Sequence, residues 1–149
     1  MKTDLFEINP PININDLSYF SLSYMGDALF EVWCRQKILL RFQNRKQVHN
    51  SVVQWVRCQT QAKIAMAIEP IMTVEEKKVY SRGRNGKVIS PPKHSSIREY
   101  RAATGFECLV GYLYFKKETR RFEELMNKKD VLELMESILF KLKKNYQKP

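Results

Sequence analysis

Two acidic residues inside apolar stretches are the first candidates for chemistry in this chain. Asp27 stands in "LSYMGDALFEVW" and Glu107 stands in "YRAATGFECLVGYLYF". A carboxylate among apolar side chains is costly unless it is paired, hydrogen-bonded or bound to a metal. If the two stretches are crossing helices, a divalent cation could neutralise both acids, and Mg²⁺ suits such a site because it commonly takes only one or two protein carboxylates. The spacing leaves an alternative open, in which each acid caps a helix or pairs with an arginine such as Arg35 or Arg101.

Hydroxyl side chains accompany both acids at helical spacing. Ser23 precedes Asp27 by four residues, and Thr104 precedes Glu107 by three, so each hydroxyl shares a helix face with its acid. Gly26 is expected either to break the first helix or to allow a close contact there. These two faces are the predicted centre of a site.

A basic segment separates the two acids along the chain. Lys and Arg total 26 against 16 Asp and Glu, a formal net charge of +10 that favours a polyanionic partner. The stretch "RGRNGKVISPPKHSS" is expected to be exposed, with a basic loop predicted over residues 82–95. Six cations are the candidates for phosphate contacts: Arg82, Arg84, Lys87, Lys93, Arg98 and Arg101. A loop that is merely solvated is the alternative.

The elements that must position these residues are predicted to be helices only. Apolar residues recur at intervals of three and four, which indicates an all-α, single-domain fold over residues 1–149 with an extended leader over 1–15. The predicted helices cover about 17–42, 46–68, 73–81, 96–116, 118–127 and 130–145. Caps are predicted at three helix starts: Asn15 or Asp16, Thr73 with Glu76, and Ser96 with Glu99.

Other classes of chemistry are disfavoured by composition and spacing. The 3 cysteines lie far apart without a CxxC pair, which argues against a disulfide framework and a zinc site. His49 and His94 are too distant in sequence to suggest a pair, and no nucleophile triad or Walker-type glycine loop is present. The stretch "MKTDLFEINPP" is unlike a signal peptide, and no apolar stretch approaches membrane-spanning length. An intracellular, soluble protein is expected.

Three motifs together resemble a known family. "YMGDALFE" resembles the first signature helix of ribonuclease III-type catalytic domains, and "ATGFECLVGYLY" resembles the second. "RGRNGK" followed by "YRAATGFE" is similar to the Mini-III ribonucleases, the branch without a double-stranded-RNA-binding domain. The likeness covers about residues 17–122. It implies a homodimeric, all-α ribonuclease III-like endonuclease domain, in which Asp27 and Glu107 occupy the positions of two catalytic carboxylates.

Two positions depart from the pattern of the longer ribonuclease III enzymes. Those enzymes use four acids, whereas Ser23 and Thr104 stand here where they carry Glu and Asp. The Mini-III branch also tends to lack these two acids. The hydroxyls are candidates to hydrogen-bond metal-bound water, and plain helix packing is the other interpretation.

The resemblance implies an activity, a cofactor and partners. The activity would be Mg²⁺-dependent hydrolysis of phosphodiester bonds in double-stranded or structured RNA, with Mn²⁺ as a substitute ion. The expected substrate is the precursor of large-subunit (23S) ribosomal RNA, in a bacterial cytoplasm or alternatively a plastid, with a ribosomal protein as a further partner and no membrane. In a homodimer, one site would face each RNA strand. Leu22, Phe30 and Trp33 are candidates for either the interface or the monomer core.

Two rival functions are open at this point. The first is a catalytically silent ribonuclease III-like protein that binds RNA structurally, for example within a ribosome. Retention of both Asp27 and Glu107 argues against it, because a silent domain has no chemical need for two convergent acids. The second is a helical protein-interaction module, which would leave the basic loop unexplained.

Overall fold

The fold is built entirely of helices in the part of the chain that the computed structural model describes, which is residues 12–88, 90 and 93–146. Residues 1–11 of the predicted leader lie outside this part. Seven α-helices occur within it: α1 Tyr19–Leu39, α2 Arg45–Val56, α3 Cys58–Ile68, α4 Val74–Arg84, α5 Ile97–Phe115, α6 Thr119–Met126 and α7 Lys129–Tyr146. Two short 3-10 turns, Ile14–Asp16 and Glu69–Ile71, complete the description. The all-α prediction is confirmed.

Helices α1 and α5 cross with their backbones in contact. A Cβ atom on Gly26 would lie 1.7 Å from the carbonyl oxygen of Glu107, and one on Gly111 would lie 2.1 Å from the carbonyl oxygen of Leu22. No side chain fits at either position without separating the helices. The close-contact prediction for Gly26 is therefore confirmed, and this crossing brings the two acid-bearing stretches together.

Helix α5 lies at the centre of the core, packed against α1, α3 and α4. Phe30 of α1 and Phe106 of α5 are buried and meet edge to face, with ring centroids 5.0 Å apart. Leu22 is also buried, and the half-buried Trp33 stacks on Trp55. Leu22, Phe30 and Trp33 thus belong to the monomer core, one of the two roles expected for them.

The predicted helix over 46–68 is wrong, because the chain breaks at Arg57. This residue has an extended backbone, with φ −64° and ψ 157°, between α2 and α3. The break leaves carbonyl groups at the end of α2 without helical partners. Two α3 side chains satisfy them: Thr60 Oγ1 donates to the carbonyl of Gln54 at 2.6 Å, and Gln61 Nε2 donates to that of Val56 at 3.0 Å.

Helix starts were predicted with mixed success. The capping boxes Thr73–Glu76 and Ser96–Glu99 are both present. The cap expected at Asn15 or Asp16 is wrong, because these residues form a 3-10 turn and Ser18 caps α1 by accepting from the Ser21 N–H at 3.1 Å.

The basic segment is shorter as a loop than predicted. Helix α4 continues through Arg84, so Arg82 and Arg84 are helical, and α5 begins at Ile97. Residues 89, 91 and 92 lie outside the described part. All three cysteines are free thiols, as expected. Among the described helices none is long and apolar enough to cross a membrane.

Candidate active site

A cleft of about 470 Å³ lies beside the crossing of α1 and α5. Asp27 from α1 and Glu107 from α5 both line it. The negative charge of Asp27 disfavours the charged form of the Glu107 carboxyl group and so raises its pKa. Two acids that are eighty residues apart in sequence therefore line one cleft.

The two acids differ in their exposure to water. Glu107 is half-buried, and burial, followed by the charge of Asp27, raises its pKa to about 8. Asp27 is exposed, although it stands among apolar residues in the sequence. Leu22, Gly26 and Phe30 turn toward α5, and position 27 lies about 100° further around the helix. Although the residue as a whole is exposed, its carboxyl group is partly desolvated, and this desolvation, followed by the charge of Glu31, raises the pKa of Asp27.

The alternative in which each acid caps a helix or pairs with an arginine is contradicted. Ser18 and Ser96 cap the two helices. Arg35 pairs instead with Glu31, at 3.6 Å between Nη2 and Oε1. Over residues 12–88, 90 and 93–146, neither Asp27 nor Glu107 takes part in an ion pair. Their negative charge is not balanced by any cation in contact with them there.

Both hydroxyl residues line the same cleft. Ser23 Oγ donates to the carbonyl of Phe20 at 3.1 Å, and Thr104 Oγ1 donates to that of Tyr100 at 3.0 Å. Each hydroxyl proton is thus used within its own helix, while the oxygen lone pairs can still accept hydrogen bonds.

Two of the six predicted RNA-binding cations line the cleft. These are Lys87 and Arg101, both exposed. The backbone N–H of Lys87 donates to the Tyr19 phenol oxygen at 3.2 Å, which fixes the start of the loop beside α1. Positive charge therefore stands next to the acids without contacting them.

The other four cations lie outside the cleft lining. Arg82 donates through Nη2 to the carbonyl of Leu17 at 3.3 Å. Arg84 pairs with Glu69 at 3.9 Å and lies over the ring of Tyr80, with 5.4 Å from its Cζ to the ring centroid. The remaining two are exposed side chains of the loop and of the first turn of α5: Lys93 and Arg98.

Sequence reasoning missed a polar residue of the site, Gln61 on α3. Its side chain is 2% exposed and lines the cleft beside Glu107. Nothing in the sequence signals this position, because it faces the cleft only as a consequence of the break at Arg57. The two histidines, by contrast, are exposed and line no part of the cleft.

The donor set of the cleft fits a hard cation that keeps several waters. Two carboxylates meet there, with hydroxyl and amide oxygens around them. In the part of the chain described, no three His, Cys, Asp or Glu side chains converge as a metal site. Zinc, which usually takes three or four protein ligands, is a poor match, whereas Mg²⁺ and Mn²⁺ suit oxygen ligands with few carboxylates.

Comparison with known proteins gives consistent matches over most of the chain. The family described as Ribonuclease III domain matches residues 21–118. A protein of Clostridium tetani called Mini-ribonuclease 3 is 36% identical over 127 residues, covering 84% of this chain and 78% of that protein. Another of the same name from Synechococcus is 38% identical over 125 residues, covering 83% of this chain and 88% of the relative. A crystal structure of a Fusobacterium nucleatum protein superposes with a TM-score of 0.71 at 27% identity, covering 76% of this chain and 92% of that one.

Proposed function

The chain belongs to the ribonuclease III family, in its Mini-III branch, and from that premise we propose that it hydrolyses phosphodiester bonds of double-stranded RNA at the cleft between Asp27 and Glu107. The observation that carries the proposal is the convergence of these two acids, without a protein cation in contact with either among the described residues. Two such acids are expected if a cation that neutralises them and a phosphate occupy the cleft during function.

Asp27 and Glu107 are the residues that would hold a divalent cation. Mg²⁺, or Mn²⁺ in its place, would supply an activated water and would stabilise negative charge that develops on the phosphate. Because the pKa of Glu107 is raised, this residue must give up its proton before it can hold the ion. Ser23 and Thr104 would accept hydrogen bonds from water retained by the ion, since their own protons are used within the helices.

Lys87 and Arg101 are the cations best placed to hold the RNA backbone near the acids. Arg82, Arg84, Lys93 and Arg98 would extend this contact along the duplex, which a protein reads by shape and phosphate spacing more than by base edges. The net charge of +10 would add attraction at long range.

A homodimer would place one cleft against each strand of the duplex. An exposed apolar stripe on α1 supports it, with two members seven residues apart on one face of the helix. The stripe, here called the α1 stripe, consists of Val32 and Leu39, neither of which lines the cleft. Their side chains are 42% and 60% exposed in the single chain, and a second copy would cover them.

The substrate we propose is the precursor of large-subunit (23S) ribosomal RNA, with a ribosomal protein as a further partner. Relatives from bacteria support the bacterial cytoplasm as the compartment, and a plastid is the alternative.

The function is tested with the unmodified protein and three nucleic acids: a long RNA duplex, the same sequence as single strands, and the matching DNA duplex. We expect cutting of the RNA duplex alone, with Mg²⁺ present and not with EDTA. Tight binding of the RNA duplex without cutting in Mg²⁺ or Mn²⁺ would contradict the proposal and favour a structural RNA-binding role.

A further inference from the structure

Gln61 carries a buried polar atom that the fold does not use. Its side chain is 2% exposed, and Nε2 is anchored by donating to the carbonyl of Val56 at 3.0 Å. Its Oε1 is buried without a hydrogen-bond partner, and no other buried side-chain nitrogen or oxygen in the described residues shares this condition. A buried oxygen without a hydrogen-bond partner is destabilising, so the position calls for an explanation.

The location of Gln61 suggests what that oxygen serves. The residue lines the cleft that holds Asp27 and Glu107. Its amide also favours the charged form of the Glu107 carboxyl group, which opposes the effect of burial on the pKa of that acid. One amide thus acts on both the end of α2 and the acid on α5. An apolar side chain of the same size would fill the space without the unsatisfied oxygen.

The needs of a cation in this cleft match what Gln61 offers. With only two carboxylates to bind it, Mg²⁺ would retain several waters, and each of these must donate hydrogen bonds to nearby acceptors. Ser23 and Thr104 can each accept, and Gln61 Oε1 offers a third acceptor on the side of the cleft that α3 forms.

On the basis of the proposed function, we propose that Gln61 is a positioning residue of the cation site. Its Nε2 holds the Glu107 carboxylate in place, and its Oε1 accepts a hydrogen bond from a water that the cation retains. Gln61 touches neither the ion nor the reacting phosphate. It acts on the cation through Glu107 and through that water.

The test is a titration of the full chain with Mn²⁺, for wild type and Gln61→Leu. Electron paramagnetic resonance measures the concentration of free Mn²⁺ at each point of the titration. Loss of an outer ligand partner typically weakens metal affinity 10–100-fold. We expect the Mn²⁺ Kd of Gln61→Leu to rise at least about tenfold. Melting temperatures in EDTA identify whether the variant is folded.

The matched control is Gln59→Leu, because Gln59 lies on the same helix, donates to the carbonyl of His94 at 3.0 Å and is not part of the cleft lining. Its Kd should equal that of wild type.

A second variant, Gln61→Glu, keeps the inference testable if the leucine variant does not fold. It restores an acceptor oxygen at the same place and adds negative charge beside Glu107. We expect its melting temperature in EDTA at pH 8 to be lower than that of wild type. We also expect Mn²⁺ to raise this melting temperature by more degrees than it raises that of wild type.

The outcomes separate the two proposals. A folded Gln61→Leu with wild-type Kd, or a Gln61→Glu that Mn²⁺ stabilises no more than wild type, overturns the role of Gln61 alone. A wild-type chain that binds no Mn²⁺ overturns the cation site itself and the role of Gln61 with it.

Discussion

Glu107 gains a proton in the folded protein at pH values where a solvated glutamate has lost it. Its pKa rises from the ordinary 4.5 to about 8 because burial and the neighbouring Asp27 both disfavour the charged form. The folded state therefore binds more protons than the unfolded state between these values. By linkage, the contribution of Glu107 to the free energy of unfolding is greatest below pH 4.5, and it is lost as the pH rises toward 8.

This sign gives a prediction for Glu107→Gln. In EDTA, the melting temperature of wild type should fall between pH 5 and pH 8 relative to that of Glu107→Gln, because the amide carries no charge at any pH. Differential scanning fluorimetry at several pH values measures both curves, and Mg²⁺ should raise the wild-type melting temperature more at pH 8 than at pH 6. Parallel wild-type and variant curves would contradict the raised pKa.

At the scale of the elements, the sequence predicted the acid-bearing helices and missed a break. The apolar spacing and the two capping boxes located the starts of α4 and α5 well, because these signals are local. The break at Arg57 has no proline or glycine to mark it. It depends on the side chains of Thr60 and Gln61, which donate hydrogen bonds to carbonyl groups of α2 in place of backbone N–H groups. Apolar periodicity does not reveal such a competition between side-chain and backbone donors. Gln61 and its place in the cleft were missed for the same reason.

The helix crossing predicts a severe effect for Gly26→Ala. Alanine ordinarily stabilises a helix interior relative to glycine, but here its Cβ would lie 1.7 Å from the Glu107 carbonyl oxygen. Forcing α1 and α5 apart should cost about 3 kcal/mol or more in the free energy of unfolding and should abolish cleavage. Urea denaturation measures the loss.

Ala28→Gly, at an exposed position of α1, is the control and should cost about 1 kcal/mol or less. An equal loss in the two variants would contradict the crossing.

At the scale of the whole molecule, the net charge predicts a polyanionic partner and the exposed apolar surface predicts a second copy of the chain. The net charge predicted a polyanion, and the basic segment was located along the chain, yet only Lys87 and Arg101 of its six cations line the cleft. The sequence could not separate these two from the rest, because the difference depends on where α4 ends and how Tyr19 holds the loop. The sequence also could not separate interface from core on α1, since both are apolar.

The α1 stripe predicts the effect of Val32→Lys on the oligomeric state. A lysine at this position should disfavour a symmetric interface through repulsion and desolvation. Light scattering coupled to gel filtration should give a wild-type mass of twice 17.7 kDa and a variant mass of 17.7 kDa. Leu132→Lys is the control, because Leu132 is a comparably exposed residue on α7, and it should remain dimeric. A wild-type monomer that still cuts both strands would contradict the dimer.

The most direct test of the central claim compares binding and cleavage of a long RNA duplex by Asp27→Asn and Glu107→Gln. Single-turnover cleavage in Mg²⁺ gives the rate, and a gel-shift titration in Ca²⁺ gives the affinity. We expect each variant to cut at least about a thousandfold more slowly, as is usual for loss of a principal catalytic group, while its Kd for the duplex stays within a few-fold of wild type. Glu133→Gln, which alters an exposed acid on α7 outside the cleft lining, should cut at the wild-type rate. Cleavage that persists in either Asp27→Asn or Glu107→Gln would contradict the claim that these two carboxylates form one catalytic site.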